Sequence, residues 1–353
     1  MVEYTIKVKN QNGDFVGEFE TFRNLKFSKN LNSYGTCSFE IPLEDTKAGS
    51  LVVPRRYCVY IYRREDKAYE GDLVWAGEQF LRFAHFKSND DNWLEVYCHD
   101  WFEQLYHRFT SKMVQYDQID AGQIAWDLID DTQNDSGGYG GLGITAGTIA
   151  TTMNRDRTYY NQNIGEAIVN LANVISGFDF EITDDKEFNV YTVKGEDKSE
   201  DVVFNLGINV KEMDIKEDFI TPVNRAIILG EATDEDELQR VERENTDFMK
   251  TYRLREQLLS EMDITDLATL QNKGDALLRK YQLPLITLTM NILESSAPNV
   301  TDFALGDLIR VVAQKGFYDI NKDYRVFGYE VSLGDKNEEA LKLTLGDFTS
   351  YGT

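Results

Sequence analysis

Histidines and cysteines are the residues in this chain that could hold a transition metal: His85, His99, His107, Cys37, Cys58 and Cys98. His99 and His107 are eight positions apart, whereas zinc ligands usually come in pairs two to five residues apart. Cys98 adjoins His99, and neighbouring side chains of a strand face opposite sides. We predict ordinary packing or surface residues here and no metal site.

Other patterns of catalytic chemistry are weak. The stretch "SGGYGGLGITAG" has glycines but no lysine, so it does not fit a phosphate-binding P-loop. A nucleophile turn of the form G-x-S-x-G is missing from the sequence. The carboxylate pairs Asp90-Asp91 and Asp184-Asp185 resemble solvated turns, because a chain with 61 acidic residues places some of them together by chance. We predict no catalytic residue and no cofactor.

Two arginine pairs, Arg55-Arg56 and Arg63-Arg64, form the only local cationic cluster of the sequence. They could make salt bridges within the chain or contact an acidic face of a neighbouring subunit. The sequence favours neither alternative, and we assign no site to them.

The net charge is -24, and such a surface repels both nucleic-acid phosphates and anionic membranes. Three cysteines are too few and too sparse for a disulfide framework. The N-terminus lacks the pattern of a signal peptide, and no apolar run reaches the roughly 18 residues of a membrane helix. We expect synthesis in a bacterial cytoplasm and no membrane anchor.

Alternating apolar residues dominate the elements that would position any site. "MVEYTIKVKN", the turn Asn12-Gly13 and Phe15–Phe19 predict a hairpin, and closely spaced strands follow it. From residue 113 helical spacing predicts two helices, with Asp120 as one N-cap and Asn163 with Glu166 as a capping box. The pattern predicts an α+β, mainly β fold with a small α/β unit in the middle.

The last part of the chain resembles the first in its order of strands. "SFEIPLED", "VVPRRYCVYIYR", "LVWAGEQFLRF" and "NDDNWLEVYCHDWF" find counterparts in "LTMNILES", "FALGDLIRVVAQ", "YRVFGYEVSL" and "DKNEEALKLTLGDF". Pro54 matches Gly306, and Gly77 matches Gly328. In the closing strands Leu94, Val96 and Cys98 match Leu341, Leu343 and Leu345. This similarity predicts a duplicated sheet, against the alternative of chance likeness between β-meanders.

Three stretches resemble the tail hub proteins of long-tailed, non-contractile bacteriophages, whose fold relatives are the baseplate hubs of contractile tails. Residues 161–231 are similar to the helix, hairpin and closing strands of that family. Residues 303–347, with "YRVFGYEVSL" and "LTLGD", are similar to the way such hubs end, and "SYGTCSFEIPL" is similar to their first barrel. The likeness covers nearly the whole chain.

The resemblance implies two tail-tube-like antiparallel β-barrel domains with an inserted α/β domain. We expect a first barrel at residues 1–112 plus 200–232, the insertion at 113–199, and a charged connector, helix and second barrel at 233–353. It also implies a homotrimer, in which two barrels per chain give six around an axis and exposed strand edges join the subunits.

The expected function is that of a structural virion protein at the tail tip, a hub that forms a channel for DNA ejection. Its expected partners are a distal tail protein or tail tube, a tape-measure protein, and tail fibre or receptor-binding proteins. Genomic DNA would pass through the lumen without specific binding, and an acidic lumen would repel it. The alternatives are a tail-associated wall hydrolase, a carbohydrate-binding tip module, and a hub of a contractile injection system.

Overall fold

The computed structural model describes residues 2–65, 71–88, 92–134, 141–173, 177–218, 222–232, 238–260, 267–281, 285–292, 298–334 and 339–346. The chain begins with β1 (Glu3–Asn10), β2 (Phe15–Phe19), β3 (Arg23–Asn30), β4 (Thr36–Pro42), α1 (Ala48–Leu51), β5 (Tyr57–Arg64), β6 (Asp72–His85) and β7 (Trp93–His99). We call these elements the N-terminal block.

The middle segment follows a 3-10 helix, Trp101–His107. It contains β8 (Val114–Asp120), α2 (Ala121–Asn134), β9 (Thr145–Ile149), β10 (Asn154–Tyr159), α3 (Ile164–Ala172), β11 (Asp179–Ile182) and β12 (Glu187–Tyr191). Its strands form two small sheets, β10–β8 and β11–β12–β9.

The remaining elements are β13 (Val203–Asn205), β14 (Val210–Asp218), β15 (Arg225–Ala232), β16 (Leu238–Glu244), α4 (Thr246–Tyr252), β17 (Glu256–Ser260), α5 (Leu267–Tyr281), β18 (Leu285–Ile292), β19 (Leu308–Lys315), β20 (Tyr318–Leu333) and β21 (Glu339–Gly346). We call β13, β14 and β18–β21 the C-terminal block. Strands far outnumber helices, which confirms the mainly β fold class with large antiparallel sheets.

One sheet of 13 strands runs through both blocks in the order β14-β18-β21-β20-β3-β4-β7-β6-β5-β1-β2, with β13 and β19 joined to it at β20. A shared hydrophobic core lies against this sheet and takes large side chains from both blocks, among them Phe27, Trp75 and Leu343. The two predicted barrels therefore correspond to two blocks of one sheet with a common core.

The two blocks have the same strand connectivity. In the N-terminal block β4 pairs with β7, β7 with β6 and β6 with β5; in the C-terminal block β18 pairs with β21, β21 with β20 and β20 with β19. A register shift interrupts β6 between Gln79 and Leu81, and another interrupts β20 between Val326 and Gly328. Such bulges sit at defined positions of a sheet. Their shared place supports the predicted duplication.

The bulges also fix which residues correspond. Leu94, Val96 and Cys98 do correspond to Leu341, Leu343 and Leu345, because each trio occupies the same places after its bulge. The match of Gly77 with Gly328 was wrong: the bulges align Gly328 with Leu81 instead. Glycine in a strand can reflect local close approach, and a Cβ on Gly77 would lie 2.1 Å from the carbonyl oxygen of His99.

Residues 203–218 pair with the C-terminal block. β13 pairs with β19 in parallel, and β14 pairs with β18 in antiparallel register from Glu212 to Asp218. β15 instead forms a small sheet with β16 and β17, and α5 packs on it through Leu270 and Leu278. The expected charged connector thus contains strands, and these pairings favour placing 203–218 with the second predicted barrel rather than the first.

The middle unit has its own core, from Phe102 to Val190. Its two predicted helix starts are confirmed: Asp120 accepts hydrogen bonds from the backbone N–H of Gly122 and Gln123, and the Asn163 side chain accepts one from Glu166 N at 3.1 Å. The first hairpin is confirmed too, with Gly13 at φ +86° in its turn.

Candidate assembly surface

The two blocks meet where β3 pairs with β20. The register is antiparallel, with Asn30 opposite Gly328 and Lys26 opposite Ser332. On the surface of this joint Lys26 Nζ lies 3.0 Å from Glu330 Oε2. The joint makes the two blocks one continuous sheet, and it shows how an edge of one block accepts a strand of the other.

Asp184 ties this joint to the middle unit. It forms an ion pair with Lys29 of β3, and its other carboxylate oxygen accepts a hydrogen bond from Ala76 N at 2.9 Å. Burial alone would lower the pKa of Lys29, but the Asp184 charge outweighs it and raises that pKa. Asp184, which the sequence suggested to be a solvated turn residue, is therefore a structural ion-pair partner.

A second tie joins the middle unit to the C-terminal block. The buried Arg325 guanidinium donates to the carboxylate of Asp179 and, at 2.7 Å, to the carbonyl of Lys194. Gly195 and Gly306 pack backbone to backbone here, since a Cβ on Gly195 would lie 2.1 Å from the carbonyl carbon of Gly306. Because both glycines have positive φ, this contact suits no other residue well.

The arginine pairs make salt bridges within the chain. Arg55 Nη1 lies 2.8 Å from Glu78 Oε2, Arg63 Nε lies 2.8 Å from Glu339 Oε2, and Arg64 Nη2 lies 2.7 Å from Glu3 Oε2. Arg56 lies over the ring of Tyr57 at 5.3 Å. Of the two alternatives for these pairs, the structure supports internal ion pairing for Arg55, Arg63 and Arg64.

Glu103 brings His99 and His107 together, a grouping that the sequence reasoning missed. Glu103 Oε1 lies 2.7 Å from His107 Nε2 and 3.4 Å from His99 Nδ1. Burial would raise the pKa of Glu103, but the nearby His99 and the hydrogen bonds with Arg55 and His107 lower it to about 2. Glu103 is four residues from each histidine in the sequence, a spacing that could have suggested the cluster.

The remaining metal and nucleophile candidates are dispersed. Cys98 faces the core beside Cys37, while His99 stacks on Phe80 on the other side of β7, as strand alternation predicts. His85 lies 3.5 Å from Glu95. Within the described ranges no group of three or more His, Cys, Asp or Glu is placed to hold a metal ion.

Three of the stretches considered from the sequence lie outside the described residues, wholly or in part. The pair Asp90-Asp91 and residues 233–237 of the expected charged connector are outside, and residues 135–140 of the glycine-rich stretch are outside as well. The described end of that stretch is near the middle unit, where Lys186 Nζ donates to the carbonyl of Leu142 at 3.0 Å.

In the described chain the sheet ends at β2 on one side and at β14 on the other, and part of β6 lacks a second neighbouring strand. β14 ends the sheet and pairs only with β18, and the second half of β6, Leu81–His85, pairs only with β7. Leu81 is 47% exposed and Phe83 is 54% exposed. Open edges with exposed apolar side chains invite a further strand, and they are the features of this molecule best suited to assembly.

Comparison with protein families gives one match. Residues 197–350 match the family model described as "Prophage endopeptidase tail". This range covers β13 to β21 and so includes the whole C-terminal block. A search of curated proteins found no match.

Solved structures match the chain over nearly its full length. The tail protein of Neisseria meningitidis MC58 has a TM-score of 0.70 at 14% identity, covering 99% of this chain and 98% of that one. The 43 kDa tail protein of prophage MuSo2 from Shewanella oneidensis has a TM-score of 0.70 at 11% identity, covering 99% of both chains.

A third match is the E. coli c3393 protein, described as a type VI secretion component similar to the T4 tail proteins gp27 and gp5. Its TM-score is 0.52 at 11% identity, with 98% of this chain and 78% of that chain covered. The resemblance to phage tail proteins is thereby confirmed in the family match and in the fold. The helices of the described chain are all too short or too polar to cross a bilayer.

Proposed function

We propose that this chain, which has the fold of phage tail proteins, is the structural hub of a tail tip. Three copies close into a ring that joins the tail tube or distal tail ring to the tip and forms a channel for DNA. The observation that carries the proposal is the duplicated block: three chains with two similar blocks each can match a sixfold tube on one side and a threefold tip on the other.

The internal ties support a rigid ring component. The β3–β20 joint, the Lys29–Asp184 pair and the Arg325–Asp179 pair hold the blocks and the middle unit together. Partly buried ion pairs fix geometry more than they add stability. The proposed mechanism is steric and conformational and needs no catalytic step. Release of a plug or tape-measure protein would open the channel.

The channel wall in this proposal is the side of the shared sheet away from the core, which we call the polar face. Its charged members alternate with core residues along the strands. They include the carboxylates Glu40, Glu95, Glu212, Asp214, Asp218 and Glu330 and the basic residues Arg23, Lys26, Lys216 and Lys342. Among these residues the six carboxylates outnumber the four basic side chains. The polar face therefore carries a small acidic excess, which fits the expected acidic lumen but supports it only weakly.

The proposed neighbours are those of a hub: a distal tail protein or tail tube, a tape-measure protein, and fibre or receptor-binding proteins in the virion. Mass measurement on the purified full chain tests the ring. A mass of three chains supports it. A monomer both in solution and in detergent-released tail tips contradicts it.

A peptidase is the second candidate, because the description of the matched family includes the word endopeptidase. Incubation of the purified chain with cell-wall peptides separates the two proposals. A structural hub leaves the peptides intact, whereas turnover that scales with protein concentration favours the enzyme. Glycan binding by a stable monomer would instead favour a carbohydrate-binding tip module.

A further inference from the structure

Within one chain, β3 shows how the two kinds of block join. Residues Lys26–Asn30 of β3 lie along Gly328–Ser332, the part of β20 that continues beyond its pairing with β19. In this contact β3, the first of the neighbouring strands β3-β4-β7-β6-β5, pairs with an edge strand of the C-terminal block. We use this contact as a template for a joint between two copies. The C-terminal block contains a counterpart of the β3 segment, and the N-terminal block contains a counterpart of the β20 segment.

The counterparts follow from the pairing registers. β14 corresponds to β3, since β14 pairs with β18 as β3 pairs with β4; Asp214 takes the place of Lys26 and Ile215 that of Phe27. Leu81–His85 of β6 corresponds to Gly328–Ser332 of β20, because both directly follow the shared bulge.

The β3 and β20 segments pair with each other, whereas each of their counterparts has a neighbouring strand on one side only in the described chain. In the described chain β14 has one neighbour, β18, and Leu81–His85 has one neighbour, β7. Even the end of the edge is the same in both blocks: Arg55 N donates to the carbonyl of Gln79 at 2.6 Å, as Gly306 N donates to that of Val326 at 2.8 Å. Just beyond this hydrogen bond, Gly328–Ser332 pairs with β3, whereas the edge of Leu81–His85 that faces away from β7 has no paired strand in the described chain.

We propose that Leu81–His85 of one copy pairs in antiparallel register with Asp214–Asp218 of a second copy. This inference rests on the proposed ring and names the joint between its subunits. Transferring the template register puts Leu81 opposite Asp218, Arg82 opposite Glu217, Phe83 opposite Lys216, Ala84 opposite Ile215 and His85 opposite Asp214.

The side chains complement each other in this register. Arg82 meets Glu217, and opposite charges in direct cross-strand pairs stabilise a sheet. The imidazole of His85 would lie beside the carboxylate of Asp214, which can accept a hydrogen bond. Ala84 and Ile215 both lie on the core side of their strands, so they would extend the shared core. The exposed ring of Phe83 would lie beside the ammonium of Lys216, a favourable cation–π arrangement. A slip of two residues toward Met213 would set Arg82 opposite Ile215 and lose the charge match.

The joint also fits the proposed copy number. Each chain offers one β14 edge and one β6 edge, so the contact is head-to-tail, and it gives a ring when the rotation between copies closes. In a ring of three, the β3–β20 joint within each chain alternates with the β6–β14 joint between chains. The result is one continuous sheet with six block-to-block joints.

Disulfide trapping in the full chain tests the register. In the variant Phe83→Cys with Lys216→Cys, the two Cα atoms would lie about 4.5 to 5.5 Å apart, within the range of a disulfide. The native cysteines are buried, so a mild oxidant reaches the introduced pair first. The matched control is Phe83→Cys with Glu212→Cys, whose partners would be about 13 Å apart.

We expect a covalent trimer on a non-reducing gel for the first variant and none for the control. A trimer by native mass that does not cross-link, or that cross-links equally in the control, overturns this joint while the ring stands. A chain with no trimer at all overturns the ring and the joint together.

A charge exchange provides a second, reversible readout. Glu217→Arg should weaken trimer formation about tenfold, because it faces Arg82 with a like charge. Adding Arg82→Glu should restore it to within about threefold of the original. Failure of the double variant to recover, with the monomer still folded, contradicts the pairing of these two residues.

Discussion

Arg63 Nε donates a hydrogen bond of 2.8 Å to Glu339 Oε2, joining β5 of one block to β21 of the other. The hydroxyl of Tyr4 donates to the same carboxylate oxygen at 2.6 Å. Burial, followed by the Glu339 charge, raises the pKa of Tyr4, so the phenol stays a donor at physiological pH. The carboxylate of Glu339 thus holds two groups of the N-terminal block from across the shared core.

Removing that carboxylate should be costly. In Glu339→Ala the Arg63 side chain, only 4% exposed, loses its main partner, and we expect a loss of about 3 kcal/mol in the free energy of unfolding. Urea denaturation measures it. The control is Asp247→Ala, which breaks the exposed pair with Lys250 and should change stability by less than about 0.5 kcal/mol. Equal effects of the two substitutions would show that Glu339 does not join the blocks.

Glu103 should make stability depend on acid. Its folded pKa of about 2 lies below the ordinary value of 4.5, so its partners stabilise the fold above about pH 4.5, and this stabilisation is lost as pH falls toward 2. Glu103→Gln should cost about 2 kcal/mol at pH 7, and the cost should shrink steadily between pH 5 and pH 3. Denaturant melts at several pH values test this. The exposed Glu20→Gln serves as control, and a pH-independent cost at position 103 would refute a depressed carboxylate pKa as the source of the stabilisation.

Asp100 should act in the opposite direction. Burial raises its pKa to about 7, although the backbone N–H groups of Gly35 and Phe102 favour the charged form. The folded state therefore holds the proton more tightly than the unfolded chain, and the fold loses stability as pH rises from about 4 to 7. Relative to Asp100→Asn, the natural chain should lose roughly 2 kcal/mol between pH 5 and pH 8. The exposed Asp319→Asn should show no such trend; a flat difference at position 100 would count against a raised pKa.

Substitutions at Gly195 and Gly207, which both have positive φ, distinguish the cost of backbone strain from the cost of close packing. Gly207→Ala has open space around its Cβ and should cost about 1 kcal/mol. Gly195→Ala meets the backbone of Gly306 and should cost at least about 3 kcal/mol, or prevent folding. Thermal unfolding of both variants compares them directly. If they unfold at the same temperature, the packing of Gly195 on Gly306 is not what holds the middle unit to the C-terminal block.

Sequence patterns predicted the local structure well. Asp120 and Asn163 cap their helices because capping depends on residues only two or three positions away. The trio Leu94, Val96 and Cys98 found its counterpart because strand alternation survives duplication. The arrangement of two β domains around an inserted α/β domain was predicted from the resemblance to tail hubs and could not be predicted from local patterns alone.

Long-range contacts escaped prediction for a physical reason. Asp184 looked like a turn residue because its partner Lys29 is 155 positions away, and Glu103 carried no sign of Arg55. The pairing of residues 203–218 with the C-terminal block depends on the β14–β18 register, which the sequence does not state. The match of Gly77 with Gly328 failed because a glycine can serve close approach in one strand and follow a bulge in another.

The most direct test of the proposed hub is a three-dimensional map of the tip of tail particles purified from the source of this chain. We expect three copies in one ring at the end of the tail tube, with six similar blocks around the channel and the polar face toward its lumen. A tip without the chain, or with a copy number other than three around the axis, would contradict it.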